Sequence, residues 1–176
     1  MKNKRFYGGK MSILFDRTSV RKYTRDSVKN EDLEFILKAA MSAPTARNAR
    51  CWSFIVVKDK QTHKKIADVH PAARMILDAP LAIVVVGDKN LVYGNYLPQD
   101  CAAATQNILL AATEKGYGSV WCGVYDNKER QEAVEKVFDL PGNIKAFSIV
   151  VIGRPAEKPA GKQRWDPGKI KYETWK

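Results

Sequence analysis

The run Leu81-Ala-Ile-Val-Val-Val86 constrains this chain more than any other stretch. Six consecutive apolar residues, mostly β-branched, lie between Pro80 and a Gly87-Asp88 turn and read as a strand. A strand with one wet face alternates apolar and polar residues; one that is apolar throughout is covered on both faces. With the helices read below, the chain fits an α+β or α/β sandwich with one main sheet, and its 176 residues suffice for one such domain. The same run is far too short to cross a bilayer.

The other elements fit that requirement. A stripe of Leu33, Ile36, Leu37, Ala40 and Met41 predicts a helix capped by Asn30 or Ser27 and ended by Pro44. Trp52 to Lys58 reads as a strand, 60–69 as a short polar helix, and Pro98 to Lys115 as the strongest helix, closed by Gly116. That helix is apolar nearly all round, as expected of one at the centre of a domain or against a second subunit. Ser119 to Val124 and Ala146 to Ile152 predict two more strands around a helix over 127–138. Residues 1–12 read as a loose arm and 13–176 as the domain. In the tail after Gly153, Trp165, Tyr172 and Trp175 offer anchors for packing on a second copy.

Charge is distributed unevenly. The net +11 comes from residues 1–30 (nine basic, two acidic) and 153–176 (seven basic, three acidic), while the middle is neutral. Two basic ends suit a polyanion, or a small phosphate site built from both ends of the chain, or a solubilising surface. No strand interleaves aromatic with basic residues, which argues against a nucleic-acid stacking platform. Three cysteines without metal-type spacing, and a basic start with no apolar signal region after it, lead to an expectation of reduced thiols and a cytoplasmic location.

The familiar catalytic sets are missing: no Gly-x-Ser-x-Gly elbow, no P-loop, no His-Glu-x-x-His. Two histidines cannot make a histidine-rich metal site. His63 reads as a solvated surface residue and His70, before Pro71, as part of a turn; no local signature supports a Cys51–His70 pair. A chain with so few catalytic side chains needs a cofactor to do chemistry. Arg17 and Arg21, four apart, would project from one face of a helical turn beginning near Asp16, with Ser19 beside them; such a set suits a phosphate monoester and equally a plain basic face. Gly116-Tyr-Gly118 ends a helix rather than opening one, so it serves as a cap and turn and not as a dinucleotide loop. Ala43 to Trp52, rich in small residues, would let a flat ligand approach the backbone.

Taken in order, Arg-x-Ser-x-Arg-x-Tyr at 17–23, Ala-Pro-x-x-x-Asn-x-x-x-Trp at 43–52, the Asp100–Asn107 stretch, Gly116–Gly123 and Val151–Pro159 followed by Lys162-Gln-Arg164 resemble the nitroreductase family of FMN-dependent oxidoreductases. The resemblance implies an α+β fold: a three-layer α/β/α sandwich on a central mixed, mainly antiparallel sheet, in a tail-swapped homodimer. It implies FMN as bound cofactor, NADH or NADPH as co-substrate, and ping-pong hydride transfer through flavin N5 to a nitroaromatic, quinone or similar acceptor. Arg17, Lys162 and Arg164 would face the FMN phosphate, Ser19 and Arg21 the ribityl chain and pyrimidine edge. Pro44 and Thr45 would come from the other subunit, Asn48 would face the isoalloxazine, and the backbone of Cys122, Gly123 and Val124 would reach its N5/O4 edge. No metal, nucleic acid or membrane is implied, and no protein acid or base. A same-fold flavin protein with specialised chemistry, such as flavin destruction or dehalogenation, is the alternative. The chain departs from the family's Asn-x-Gln-Pro-Trp with Asn48-Ala49-Arg50-Cys51-Trp52, which bears on the acceptor.

Overall fold

The computed structural model describes residues 6–7, 10–159 and 164–175. Its elements are β1 (Phe6–Tyr7), β2 (Lys10–Met11), α1 (Ile13–Asp16), α2 (Asn30–Met41), β3 (Trp52–Val57), α3 (Lys60–Val69), β4 (Leu81–Asp88), α4 (Leu97–Glu114), β5 (Gly118–Gly123), α5 (Lys128–Val137) and β6 (Ile144–Gly153). β1 and β2 pair only with each other, as a two-residue ribbon at the start of the chain.

The main sheet has strand order β3-β4-β6-β5, and every pair is antiparallel. Its one parallel component is an isolated bridge between Ser19 and Ser119. On β4, Leu81, Ile83 and Val85 enter one core with Ile36, Ile108 and Leu109, while Ala82, Val84 and Val86 enter the other with Ile66, Ile76 and Val134. Helices α2 and α4 thus cover one face, and α3, α5 and the 3-10 segment Pro71–Leu77 cover the other. The uninterrupted apolar run is explained by these three layers, with six residues split evenly between two dry cores.

Four local expectations are corrected. Arg17 to Tyr23 is not a helical turn: α1 closes at Asp16, and the chain beyond it is extended, held by Val20 N–H on the Ser119 carbonyl (3.0 Å) and by a Tyr23–Pro155 bridge. Neither Ser27 nor Asn30 caps α2; Lys29 is its N-cap residue, and the Asn30 amide oxygen accepts from Lys58 instead (3.0 Å). His63 is not solvated but 0% exposed. It shares with Ile66, Ala67 and His70 the i, i+3, i+4, i+7 stripe that α3 buries, a pattern masked by the lysines on its other side. Gly118 is not part of a turn but opens β5, while Gly116, at φ +77°, ends α4 as expected.

Gly118 and Gly153 are register partners at one end of the sheet. A Cβ on Gly118 would lie 2.7 Å from the Val20 side chain, and one on Gly153 would lie 2.8 Å from Pro80 and 3.0 Å from Tyr23. The missing side chains let the segment 20–23 lie flat over the ends of β5 and β6. From there Thr24 N–H reaches the Arg154 carbonyl (2.9 Å) and Ala156 N–H the Lys22 carbonyl (3.0 Å). The two basic ends of the sequence are brought side by side in this way.

Candidate active site

The expected site residues fall into two groups on opposite edges of the sheet. Along the β5 edge lie Arg17, Ser19 and Arg21, with Cys122, Gly123, Val124 and Arg164. In the extended segment, Ser19 and Arg21 are exposed on either side of Val20, which is buried. Arg17 is partly buried, and its affinity for a proton is lowered first by that burial and then by the nearby Arg164 guanidinium. Cations from positions 17 and 164 therefore share one neighbourhood, and among the described residues no carboxylate pairs with Arg17, Arg21 or Arg164. Gathering like charges without a counterion is unfavourable unless an anion completes the set. Lys162 lies outside the described residues.

The end of β5 is set by its ladder. Val124 N–H donates to the Phe147 carbonyl (3.1 Å), so even-numbered residues of β5 bond toward β6 and odd-numbered ones point their amides off the edge. The Val20 bond to the Ser119 carbonyl agrees with that parity. Of the three candidate amides, Gly123 alone therefore projects outward, and a Cβ built on it meets nothing within 4 Å. A flat ring can approach the backbone there. The Cys122 side chain instead joins the buried α3/α5 core, and burial raises its thiol to about pKa 11.

Two residues outside the expected site set, His70, read from the sequence as part of a turn, and Arg130, fix this end. The Gly123 carbonyl accepts from His70 Nε2 (3.0 Å) and from Arg130 Nη1 (3.1 Å). A carbonyl only accepts, so Nε2 carries the proton. Burial and then the charge of Arg130 hold His70 below the usual histidine pKa, which keeps the ring neutral. The buried α3 stripe carried the signal for His70; Arg130 had none, since a basic residue on a polar helix looks like surface.

Pro44, Thr45 and Asn48 occupy the other edge, before β3. Arg47, Asn48 and Arg50 have φ of 51°, 57° and 51°, a left-handed conformation that costs about 1 kcal/mol or more at each arginine. Asp100, in the first turn of α4, holds this turn in place: it accepts from Ala46 N–H (3.0 Å) and from Cys51 Sγ (3.5 Å). The Thr45 hydroxyl accepts from Arg50 N–H (3.0 Å), and the Asn48 side-chain oxygen accepts from Arg50 Nε (2.9 Å). Within one chain these residues do not meet the β5-edge group.

Unpaired cations, an outward backbone amide and an open glycine on one edge fit a phosphorylated planar cofactor. No group of three His, Cys, Asp or Glu side chains among the described residues could hold a metal ion. No described helix is long and apolar enough to cross a membrane.

Fold and edge together define an α+β sandwich with a cationic edge, and comparison with known proteins makes the class definite. The profile of the nitroreductase family matches residues 14–73 and 70–154. A protein of Methanothermobacter thermautotrophicus, provisionally named NADH dehydrogenase/NAD(P)H nitroreductase, is 42% identical over 160 residues, covering 90% of this chain and 84% of the relative. A crystal structure from Parabacteroides distasonis with the same provisional name superposes with a TM-score of 0.90 at 37% identity, covering 93% of this chain and 96% of that one. An FMN-dependent nitroreductase from Clostridium difficile R20291 superposes with a TM-score of 0.88 at 28% identity, covering 94% and 100%. The chain belongs to the nitroreductase family and is an oxidoreductase of that family.

Proposed function

We propose that the protein is an FMN-dependent NAD(P)H oxidoreductase, active as a homodimer, that reduces nitroaromatics, quinones or similar acceptors. The observation that carries this reading is that Arg164, from the far end of the sequence, lies near enough to Arg17 for its charge to lower the proton affinity there, with neither paired to a carboxylate among the described residues. In this reading, Arg17, Arg164 and Lys162 bind the FMN phosphate, and Ser19 and Arg21 line the ribityl chain and the pyrimidine edge. FMN supplies a two-electron carrier between nicotinamide and acceptor. Gly123 N–H would orient the ring by a hydrogen bond to its edge, and His70 and Arg130 hold that peptide. Arg21 favours the negative charge of the reduced state, because a fixed cation stabilises an anion without reorganising. No protein acid or base is needed, in keeping with the missing catalytic sets.

A second copy is needed to bring Pro44, Thr45 and Asn48 to the β5 edge. Two features support it. Trp165, Tyr172 and Trp175 are 66%, 79% and 86% exposed on the single chain, an arrangement that favours burial against a partner. On the outer side of α4 the apolar Ala103 and Leu110 are only half-buried, among the exposed Gln99, Gln106 and Glu114.

The test is to purify the protein and record its absorbance, its sedimentation and its NADH- or NADPH-dependent reduction of a quinone. A yellow dimer whose activity tracks its FMN content is the expected result. A colourless protein that stays colourless after addition of FMN, and shifts on DNA in a salt-sensitive way, would replace the reading with nucleic-acid binding.

A further inference from the structure

The turn before β3 carries more charge than holding a flavin requires. Arg47 and Arg50 are both exposed, and among the described residues neither pairs with a carboxylate. Arg50 is tied through Nε to the Asn48 side-chain oxygen (2.9 Å), so its guanidinium stands directly beside the group that would face the flavin ring. That bond also leaves the Asn48 amide hydrogens free to donate. The Arg47 guanidinium lies 4.1 Å from the centre of the Tyr93 ring, and Tyr93 stacks with Tyr96 at 6.2 Å and 11°. Both tyrosines are over 40% exposed. Flat aromatic surface beside the Arg47 guanidinium, with Arg50 in the same turn, attracts a planar anion by stacking and by charge. The arrangement is also held at a cost, since both arginines sit in the left-handed region under the grip of Asp100.

We propose that this turn and the Tyr93–Tyr96 pair form an acceptor subsite that selects planar aromatic acceptors bearing a carboxylate or sulfonate. The proposal rests on the flavin reading above and names the substrate class for that site. The overall reaction balances simply: NAD(P)H gives up a hydride, and with one solvent proton a quinone becomes its hydroquinone while NAD(P)⁺ is released.

The test measures kcat/KM of the FMN-loaded protein for a naphthoquinone and for the same quinone carrying a sulfonate. In the native protein the sulfonate is expected to be the better acceptor, with an advantage that shrinks as salt rises. In Arg47→Gln/Arg50→Gln the ratio of the two kcat/KM values is expected to fall about tenfold, the scale of one charge-assisted contact. Arg47→Lys/Arg50→Lys is expected to keep most of it. An unchanged ratio in the glutamine variant overturns the proposal, as does dissociation of that variant to monomers, which would make the patch a subunit contact. A native protein that reduces neither quinone in an FMN-dependent way overturns both the proposal and the reading beneath it; FMN-dependent turnover without charge selectivity overturns the proposal alone.

Discussion

Single atoms decide whether the two ends of the chain can meet. Gly118→Ala puts a methyl group 2.7 Å from Val20 and is expected to destabilise the fold by about 1–3 kcal/mol, as overpacking does. Urea unfolding measures this, and adding Val20→Ala to the same chain should recover part of the loss; a Gly118→Ala midpoint equal to that of the parent would contradict the packing argument. The histidines set a pH dependence. Burial holds both His63 and His70 below their ordinary value of 6.5. Below about pH 6.5 the unfolded chain therefore binds protons that the folded chain refuses, so these groups contribute stability above that pH and lose it as pH falls. Unfolding midpoints between pH 7.5 and 5.5 should drop, with a shallower slope in His70→Gln. A parallel slope in that variant would show that His70 is not the titrating group. From the sequence, His63 looked solvated because its neighbours are lysines, although the buried stripe was already present in the spacing of 63, 66, 67 and 70.

At the scale of elements, the sequence was a good guide where burial was two-sided and a poor one where tertiary contacts rule. The apolar run of β4, the helix α4 and the strands β3, β5 and β6 were all expected, because hydrophobic pattern alone specifies them. The Arg17–Tyr23 segment, whose spacing suits a helical turn beginning near Asp16, is extended instead. Its extended form comes from Val20 bonding to β5 and Tyr23 meeting Pro155, partners about 100 and 130 residues distant that no local pattern reveals. The turn over 45–50 is held in a comparable way, by an acid on another element. Asp100→Ala removes the acceptor for Ala46 N–H and is expected to cost about 1–3 kcal/mol. It should also speed tryptic cleavage after Arg47 or Arg50 in the native protein. Unchanged cleavage and stability would show that the turn holds its left-handed residues without Asp100.

At the scale of the whole molecule, the sequence's uneven charge finds its explanation. The neutral middle builds the sandwich, and the basic ends are laid together by the glycine pair Gly118 and Gly153. Charge counting alone left a polyanion, a small phosphate and plain solubility open, because it gives no distances; the closeness of Arg17 and Arg164 favours the small phosphate. The division of the remaining site residues between two sheet edges is not legible in local pattern, since it depends on strand order; only the family resemblance, which puts Pro44 and Thr45 in the other subunit, points to it. The most direct measurement is calorimetric titration of the flavin-stripped protein with FMN and with riboflavin, which differ by the phosphate alone. FMN should bind at least tenfold more tightly, each arginine–phosphate contact contributing roughly 1.5–3 kcal/mol, and Arg17→Ala/Arg164→Ala should remove most of the difference while leaving riboflavin affinity in place. Equal affinity for the two flavins in the native protein would contradict the account.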